Sequence, residues 1–456
     1  MSVNGGMPAK YLAGNAVSNI SINKPLSLTR NFSWTLISAG VCAFCQWGMF
    51  VVLTKLCSTT MVGQFALALA ITAPVFVFAA LNLRTIQATD ARRDFRFGDY
   101  LGLRLLSVSA ALTFVFVIEI VSGHDAHLLL VVVITGVARS LDFIGDTVFG
   151  LQQQHERMDR IAISQMVRSV LQIVVVAAAA YITRNVLWAV VGQAVVSLGV
   201  LLTYDLRNAG RLHRFPWPTR NPARYPSLVR LATLRFGSWR NIRALLRMAF
   251  PLGLVALLGS LMVNIPRYFI ESSAGTAKLA VYSAMGYVMN VGGIAATSLC
   301  QATAARLARN YVEDLPQCRK LILQLIAMAA ANGVVGVLLA VFWGRQFLTI
   351  MYRPEYAMYP SVFAWLMVAA GLSYIIAALG FGLAAARKFD VQLLVYLCAA
   401  LVTAAACVPL VPRYGLLGAA WALLAGLLAL CAGFTVALIF ALRPRTTQLA
   451  PVEVEA

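Results

Sequence analysis

The sequence predicts an all-α integral membrane protein with twelve transmembrane helices in two six-helix lobes, and three observations predict it. Hydrophobic residues make up 60% of the 456 positions and charged residues only 12%, with a mean hydropathy of +0.79. That balance excludes a water-soluble domain. Apolar stretches of the roughly 20 residues needed to span a hydrocarbon core of about 30 Å recur twelve times. The polar segments between them alternate between strongly basic and nearly neutral.

The stretches run over 33–54, 62–83, 102–121, 127–149, 161–182, 186–204, 248–269, 279–300, 321–343, 360–383, 391–411 and 415–441. Each is read as a helix, because lipid offers no partner to an open sheet edge. The longest polar segment, 206–247, carries ten arginines, four prolines and no acid, and it divides the helices six and six. The predicted organisation is an N-terminal tail (1–32), an N-lobe (33–205), a basic linker (206–247), a C-lobe (248–441) and a C-terminal tail (442–456). Within the linker, "LVRLATLRFGSWRNIRALLR" spaces arginines among Leu, Phe and Trp, as suits an amphipathic helix on anionic membrane lipids.

The net charge of +20 does not indicate nucleic acid, because the basic residues sit in loops between crossings. With a cytoplasmic N-terminus, 28 of the 37 Lys and Arg fall on the inner side and seven on the outer, which predicts both termini in the cytoplasm. The first thirty residues lack an apolar core of the kind a cleavable signal peptide needs, so none is expected. Eight cysteines show no framework spacing, and Cys42 and Cys45 read as packing residues of the first helix. In "SGHDAH", His124 and His127 read as a solvated hairpin, with metal chelation as the alternative; no metal or cofactor is expected.

Ionisable residues inside a membrane are costly and should face a protein interior or a cavity. Arg139, Asp142 and Asp146 are spaced i, i+3, i+7 on one face of the fourth helix. Arg168, on the fifth, falls at the depth of Asp142 and is expected to pair with it. Glu119 lies near the outer end of the third helix. Arg267 follows Pro266 in "NIPRYFIE", where the helix is expected to bend or end, with Glu271 placed to hold the arginine at i+4. Lys55 ends the first helix as Arg267 is expected to end the seventh. Gln87-Ala88-Thr89 and Gln301-Ala302-Thr303 then recur at matching ends of the helices that follow, which suggests a parallel repeat of the two halves. Cations in both halves suit an anionic ligand.

The sequence has no P-loop, and its outward loops carry few acids, so it is not read as an enzyme. "NIPRYFIE" and "GQFALALAITAPVFVFAALNLRTIQATD" resemble polysaccharide flippases of the MOP superfamily, the lipid-linked oligosaccharide flippases related to MATE exporters. The resemblance spans essentially the whole chain. It implies a MOP/MATE-like fold in a bacterial inner membrane and two lobes around a central cavity. It also implies passage of an undecaprenyl-pyrophosphate-linked oligosaccharide from the cytoplasmic to the periplasmic leaflet, for exopolysaccharide, capsule or O-antigen.

On that reading Arg267, Lys55, Arg139 and Arg168 are the candidate cavity cations for the pyrophosphate. Gln87, Gln301 and Asn290 are candidate sugar contacts, and Asp142, Asp146 and Glu119 candidate ion-coupling acids. A polysaccharide polymerase and export proteins are the implied partners, and nucleic acid is not one. The alternatives are a MATE-like small-molecule exporter, which should show unpaired acids, and a membrane polymerase or ligase of the same pathway.

Overall fold

A computed structural model describes residues 28–90, 94–212, 237–386 and 389–442. Residues 1–27 and 443–456 of the two tails and residues 213–236 of the linker lie outside the described residues.

The described residues form helices α1 (Leu28–Leu56), α2 (Thr59–Ala80), α3 (Leu83–Thr89), α4 (Phe97–Ser122), α5 (Ala126–Gln154), α6 (Met158–Thr183) and α7 (Val186–Val200). These are followed by α8 (Leu206–Leu212), α9 (Trp239–Glu313), α10 (Leu315–Met351), α11 (Pro360–Ala385), α12 (Phe389–Tyr414) and α13 (Leu416–Ala441). Among the described residues, eleven helices are long and apolar enough to cross a membrane, so the chain is a multi-pass membrane protein. The predicted stretches coincide with these helices, which extend a few residues further at most ends because helices continue beyond the hydrocarbon they cross.

Three departures from the sequence reading position the candidate site. The second predicted stretch breaks near its end. Leu81 and Asn82 adopt left-handed backbone angles (φ 49° and 51°), which Asn tolerates and Leu does not readily. Burial of Leu81 and Leu83 with Tyr100, Leu103, Leu245 and Ala249 accounts for that conformation. The short α3 thereby redirects Arg84 and Gln87 toward α5. The sixth stretch does not stop at 204 either: a π-helical turn, Leu201–Asp205, joins α7 to α8 and carries Asp205 into the protein interior.

The third departure is in α9, whose 75 residues cover both the seventh and eighth predicted stretches. A straight helix of that length would reach about 110 Å. Gly275, at φ 77° and ψ 172°, is its non-helical residue. A Cβ placed on Gly286 would lie 3.6 Å from Nη2 of Arg267. Along one straight helix these residues would be about 28 Å apart, so the chain reverses at Gly275 and α9 is two antiparallel limbs. The first limb runs through Pro266 without ending, and Arg267 therefore sits eight residues, or about 12 Å, before the turn. Lys55 lies one residue from the end of α1. The two cations are not equivalents at matching helix ends.

By packing, the chain divides into two compact units. One takes α1 as far as Gln46, α2 from Val75, α3 to α8, and α9 as far as Gly253; the other takes Trp47–Pro74 and the chain from Leu254 onward. In the second unit α2 meets the Gly275 turn closely. A Cβ on Gly63 would fall 1.8 Å from the carbonyl oxygen of Thr276 and 2.4 Å from its carbon. Backbone cannot yield that much, so Gly63→Leu is expected to separate α2 from α9 and lower the melting temperature of the purified protein. An unchanged melting temperature would show that this contact adds nothing to stability.

Candidate functional site

In the first unit α5 presents its acids to arginines of three other helices, α3, α4 and α6. Arg168 bridges two carboxylates, donating from Nη1 to Asp142 Oδ1 at 2.9 Å and from Nη2 to Asp205 Oδ2 at 2.6 Å. Ser164 Oγ donates to the other oxygen of Asp205 at 2.5 Å. The Asp205 side chain is fully buried, whereas that of Asp142 is 34% exposed, so Asp142 is the open end of this cluster. Arg139, one turn before it, acts on Asp142 electrostatically. The Arg168–Asp142 pair read from the sequence is present.

Asp146 is held by two arginines that count among the inner-side cations of the sequence. Arg84 Nη1 lies 3.3 Å from Oδ1, and Nη2 of the fully buried Arg104 lies 3.5 Å from Oδ2. Arg104 also donates from Nη1 to the carbonyl of Ala80 at 3.0 Å, satisfying the last turn of α2, and from Nε to Thr147 at 3.2 Å. Phe149 joins the two clusters, with the guanidinium carbons of Arg84 and Arg168 each 5.6 Å from its ring centre.

Gln87 packs against Gly150 of α5. Its amide donates to Thr147 O at 3.1 Å and accepts from Leu151 N at 3.2 Å. A Cβ on Gly150 would come within 2.3 Å of the end of the Gln87 amide group. Gly150→Val is therefore expected to displace α3 and weaken the Arg84–Asp146 pair, read as a lower melting temperature in detergent. A wild-type value would show the amide moving aside at no cost.

In the second unit, Arg267 is half-buried between the limbs of α9. Nη1 donates to Asn264 Oδ1 at 3.0 Å, and Asn264 is itself anchored to Ser260 O at 2.8 Å. Nε has no hydrogen-bond partner, and Nη2 lies against Gly286. The expected Arg267–Glu271 pair is not formed, because Asn264, one turn back, takes the guanidinium first.

Beyond Gly286 one face of the second limb carries Asn290, Gly293, Thr297 and Gln301, at helical spacings of three and four. Asn290, Thr297 and Gln301 are exposed. The large exposed side chains of α4, by contrast, are apolar, among them Leu106, Phe114, Phe116, Val117, Ile120 and Val121, as expected of a lipid-facing helix. A polar, small-residue face on a membrane helix suits water or ligand and not lipid. Of the tripeptide repeat, Gln301 is exposed on this continuous helix while Gln87 is buried on the short α3, so the two glutamines occupy different environments.

Lys55 and Arg353 cap each other's helices. Lys55 Nζ donates to Ile350 O at 2.9 Å, in the last turn of α10, and Arg353 Nη2 donates to Lys55 O at 2.9 Å, in the last turn of α1. Glu119 is buried and receives His124 Nδ1 on Oε2 at 2.9 Å; His127 Nε2 meets Asn185 Oδ1 at 3.1 Å. The two histidines thus serve separate partners. Among the described residues no three His, Cys, Asp or Glu side chains gather as metal ligands. Of the linker arginines that are described, Arg240, Arg243 and Arg247 form an exposed i, i+3, i+7 stripe at the start of α9, opposite the buried Ile242, Leu245 and Ala249. This stripe is continuous with the membrane helix. The segment 228–236 lies outside the described residues.

Sequence reasoning missed Arg84, Arg104 and Asp205. The available signal was arithmetic: Asp142 and Asp146 on one apolar helix face called for more cations at their depth than Arg139 and Arg168, and Arg84 and Arg104 flank the polar segment after α2.

Comparison with known proteins fits this architecture. Residues 28–311, more than half of the chain, match the family described as Polysaccharide biosynthesis protein. The capsular polysaccharide biosynthesis protein CapF of Staphylococcus aureus is 23% identical over 396 residues, covering 86% of this chain and 94% of CapF. Among solved structures, the Vibrio cholerae MATE transporter VcmN aligns with a TM-score of 0.62 at 13% identity, over 94% of this chain and 99% of its own. A MOP-superfamily transporter from Pyrococcus furiosus, described by the reverse polarity of its binding pocket, aligns with a TM-score of 0.59 at 13% identity, over 90% and 94%. The helical arrangement is therefore that of MOP-superfamily transporters, and the chain belongs to the polysaccharide biosynthesis protein family.

Proposed function

We propose that this protein moves a polyprenyl-pyrophosphate-linked oligosaccharide, of the undecaprenyl class, from the cytoplasmic to the periplasmic leaflet of a bacterial inner membrane. One observation carries the reading. Arg267 holds an unpartnered guanidinium edge at one end of a polar helix face, while the acids on α5 are committed to arginines. Such a chain favours an anionic ligand over the cations of a drug exporter. A pocket of reversed polarity described for a Pyrococcus furiosus transporter of like fold supports the idea that side chains, and not the fold, set the sign of the substrate.

Counting the two limbs of α9 separately supports twelve crossings, and the charge bias supports a cytoplasmic position for both termini. Gly275, Lys55 and Arg353 then lie toward the periplasm. Two six-helix lobes would rock about the substrate. Asn290, Thr297 and Gln301 would meet sugar hydroxyls, while the polyprenyl tail stays in lipid. Gln87 has its amide engaged and is left out of this set. Because a pyrophosphate diester carries about two negative charges, an inside-negative potential drives it outward by about 2.3 kcal/mol per charge per 100 mV. No chemical step on the substrate is required.

The test uses proteoliposomes holding the full chain and a fluorescent polyprenyl-pyrophosphate oligosaccharide, with a membrane-impermeant quencher reporting leaflet position. Protein-dependent transfer that quickens with an inside-negative potassium diffusion potential is expected. Transfer no faster than in empty liposomes, together with uptake of a cationic dye, would replace this reading with a MATE-like exporter.

A further inference from the structure

A cavity of about 440 Å³ lies inside the second unit, lined by the first limb of α9 and by α11, α12 and α13. Part of its wall is a stripe of small residues on α11, Ser373, Ala377, Gly380 and Ala384, at helical spacings of four, three and four. Small residues on a membrane helix ordinarily let a neighbour pack closely. Here α11 packs on α10 and α13 but hardly on α12, and the stripe faces empty space. On α12, Tyr396 is fixed as another part of the wall. Its ring meets that of Phe434 edge-on at 5.5 Å, and a Cβ on Gly259 would lie 3.3 Å from it. The cavity is therefore preformed, and a void of this size in a packed interior costs stability until it is filled.

Its chemistry, length and depth select the occupant. Apart from Ser373, Gln392 and Tyr396 the lining is apolar, and among the described residues no charged side chain belongs to it. A pyrophosphate would need cations. Ser373 spends its hydroxyl on Ala369 O at 2.9 Å, whereas the amide nitrogen of Gln392 is buried without a hydrogen-bond partner. The terminal torsion of glutamine is soft, so a small rotation presents this donor to the cavity. The unmet donor calls for a neutral acceptor. From Ser373 to Ala384 α11 rises about 16 Å, and one leaflet of a hydrocarbon core about 30 Å thick is about 15 Å deep. Ala384 and Gln392 lie within one residue of the ends of the apolar stretches 360–383 and 391–411, while Gly259 is at the middle of 248–269. The cavity thus runs from the edge of the hydrocarbon, where Gln392 sits, to near its midplane.

We propose that this cavity holds one acyl chain of a membrane glycerophospholipid, with the Gln392 amide donating to the ester carbonyl at the head of the chain. An acyl chain spans one leaflet, and its glycerol ester supplies an uncharged acceptor at the polar end. Val263, 41% exposed, also lines the cavity and brings it to the surface of the unit, where lipid enters. Arg267 does not line it, and the site is independent of what the protein transports.

The experiment is native mass spectrometry and thermal unfolding of the full-length protein in detergent, stripped of lipid and then given palmitoyl-oleoyl phosphatidylglycerol, its ether-linked analogue or undecaprenyl phosphate. One ester lipid retained per chain and a raised melting temperature are expected. Ala377→Phe, which fills the cavity, should lose both, and should melt without lipid at or above the wild-type temperature. Gln392→Leu should weaken the ester lipid about fivefold, as loss of one neutral hydrogen bond implies, and leave the ether lipid, which has no carbonyl, unchanged. A diazirine at mid-chain of the ester lipid should label wild-type α11 and α13 around Gly380 and Leu430, which decides the matter even where Ala377→Phe fails to fold. Labelling confined to other helices, or a wild-type response to lipid in Ala377→Phe, would overturn the proposal. Equal weakening of ester and ether lipid in Gln392→Leu would overturn the part given to its amide. Retention of undecaprenyl phosphate in preference to the phospholipid would overturn the proposal in favour of a prenyl chain.

Discussion

Arg267→Ala is expected to abolish polymer export while the protein remains in the membrane at its normal level. Within its own unit the side chain makes one hydrogen bond, to Asn264, so little of the packing depends on it. Its loss removes two charge-assisted donors from the phosphoryl group, each worth roughly 1.5 to 3 kcal/mol, or at least about a hundredfold in transfer rate together. Arg267→Lys keeps the charge but not the planar pair of donors, and is expected to recover only part of the activity. The measurement is surface polysaccharide together with the leaflet position of lipid-linked repeat units, which should accumulate on the cytoplasmic side. Undiminished export in Arg267→Ala would sink the role assigned here. Undecorated repeat units reaching the periplasm without being polymerised would point to a polymerase instead.

Arg168→Leu is expected to damage folding and not one transport step. Arg168 holds Asp142 and Asp205 at 2.9 and 2.6 Å, and the Asp205 side chain is fully buried. Removing the cation leaves a carboxylate in the interior with only Ser164 on its other oxygen. Breaking a buried ion pair from one side costs about 3–5 kcal/mol. The loss should appear as a lower melting temperature and aggregation during size-exclusion chromatography. Arg168→Lys, with one donor group where two carboxylates need bridging, should fall between. Adding Asp205→Asn to Arg168→Leu should recover part of the loss by removing the stranded charge. Wild-type stability in Arg168→Leu would mean that water or Arg139 compensates both acids.

The two arginines differ in a way that a linear sequence shows incompletely. The position of Arg168 opposite Asp142 follows from counting residues back from a shared turn, since adjacent helices joined by a short loop must run antiparallel. Arg267 was misplaced because Pro266 reads as a helix terminator. In membrane helices proline is tolerated within the run, and the chain reverses instead at Gly275. Arg84 and Arg104 flank the polar segment after the second predicted stretch and count there among the inner-side cations. Arg104 reaches the carbonyl of Ala80, just before the left-handed break at Leu81 and Asn82, which local propensity would not place at a leucine.

By itself the sequence determined that this is a multi-pass membrane protein, where its helices lie, and that α5 and α6 carry an ion pair. Those properties follow from hydropathy over about 20 residues and from the periodicity of a helix, both local. Only the tertiary structure decided which cations are spent and which are idle. Lys55 caps α10, Arg104 caps α2 and clamps Asp146, and Arg267 keeps its Nε without a hydrogen-bond partner. The physical reason is that satisfying a buried charge depends on distances of about 3 Å between helices. Those distances are set by turns such as Gly275 and close approaches such as Gly63, which hydropathy and periodicity do not encode.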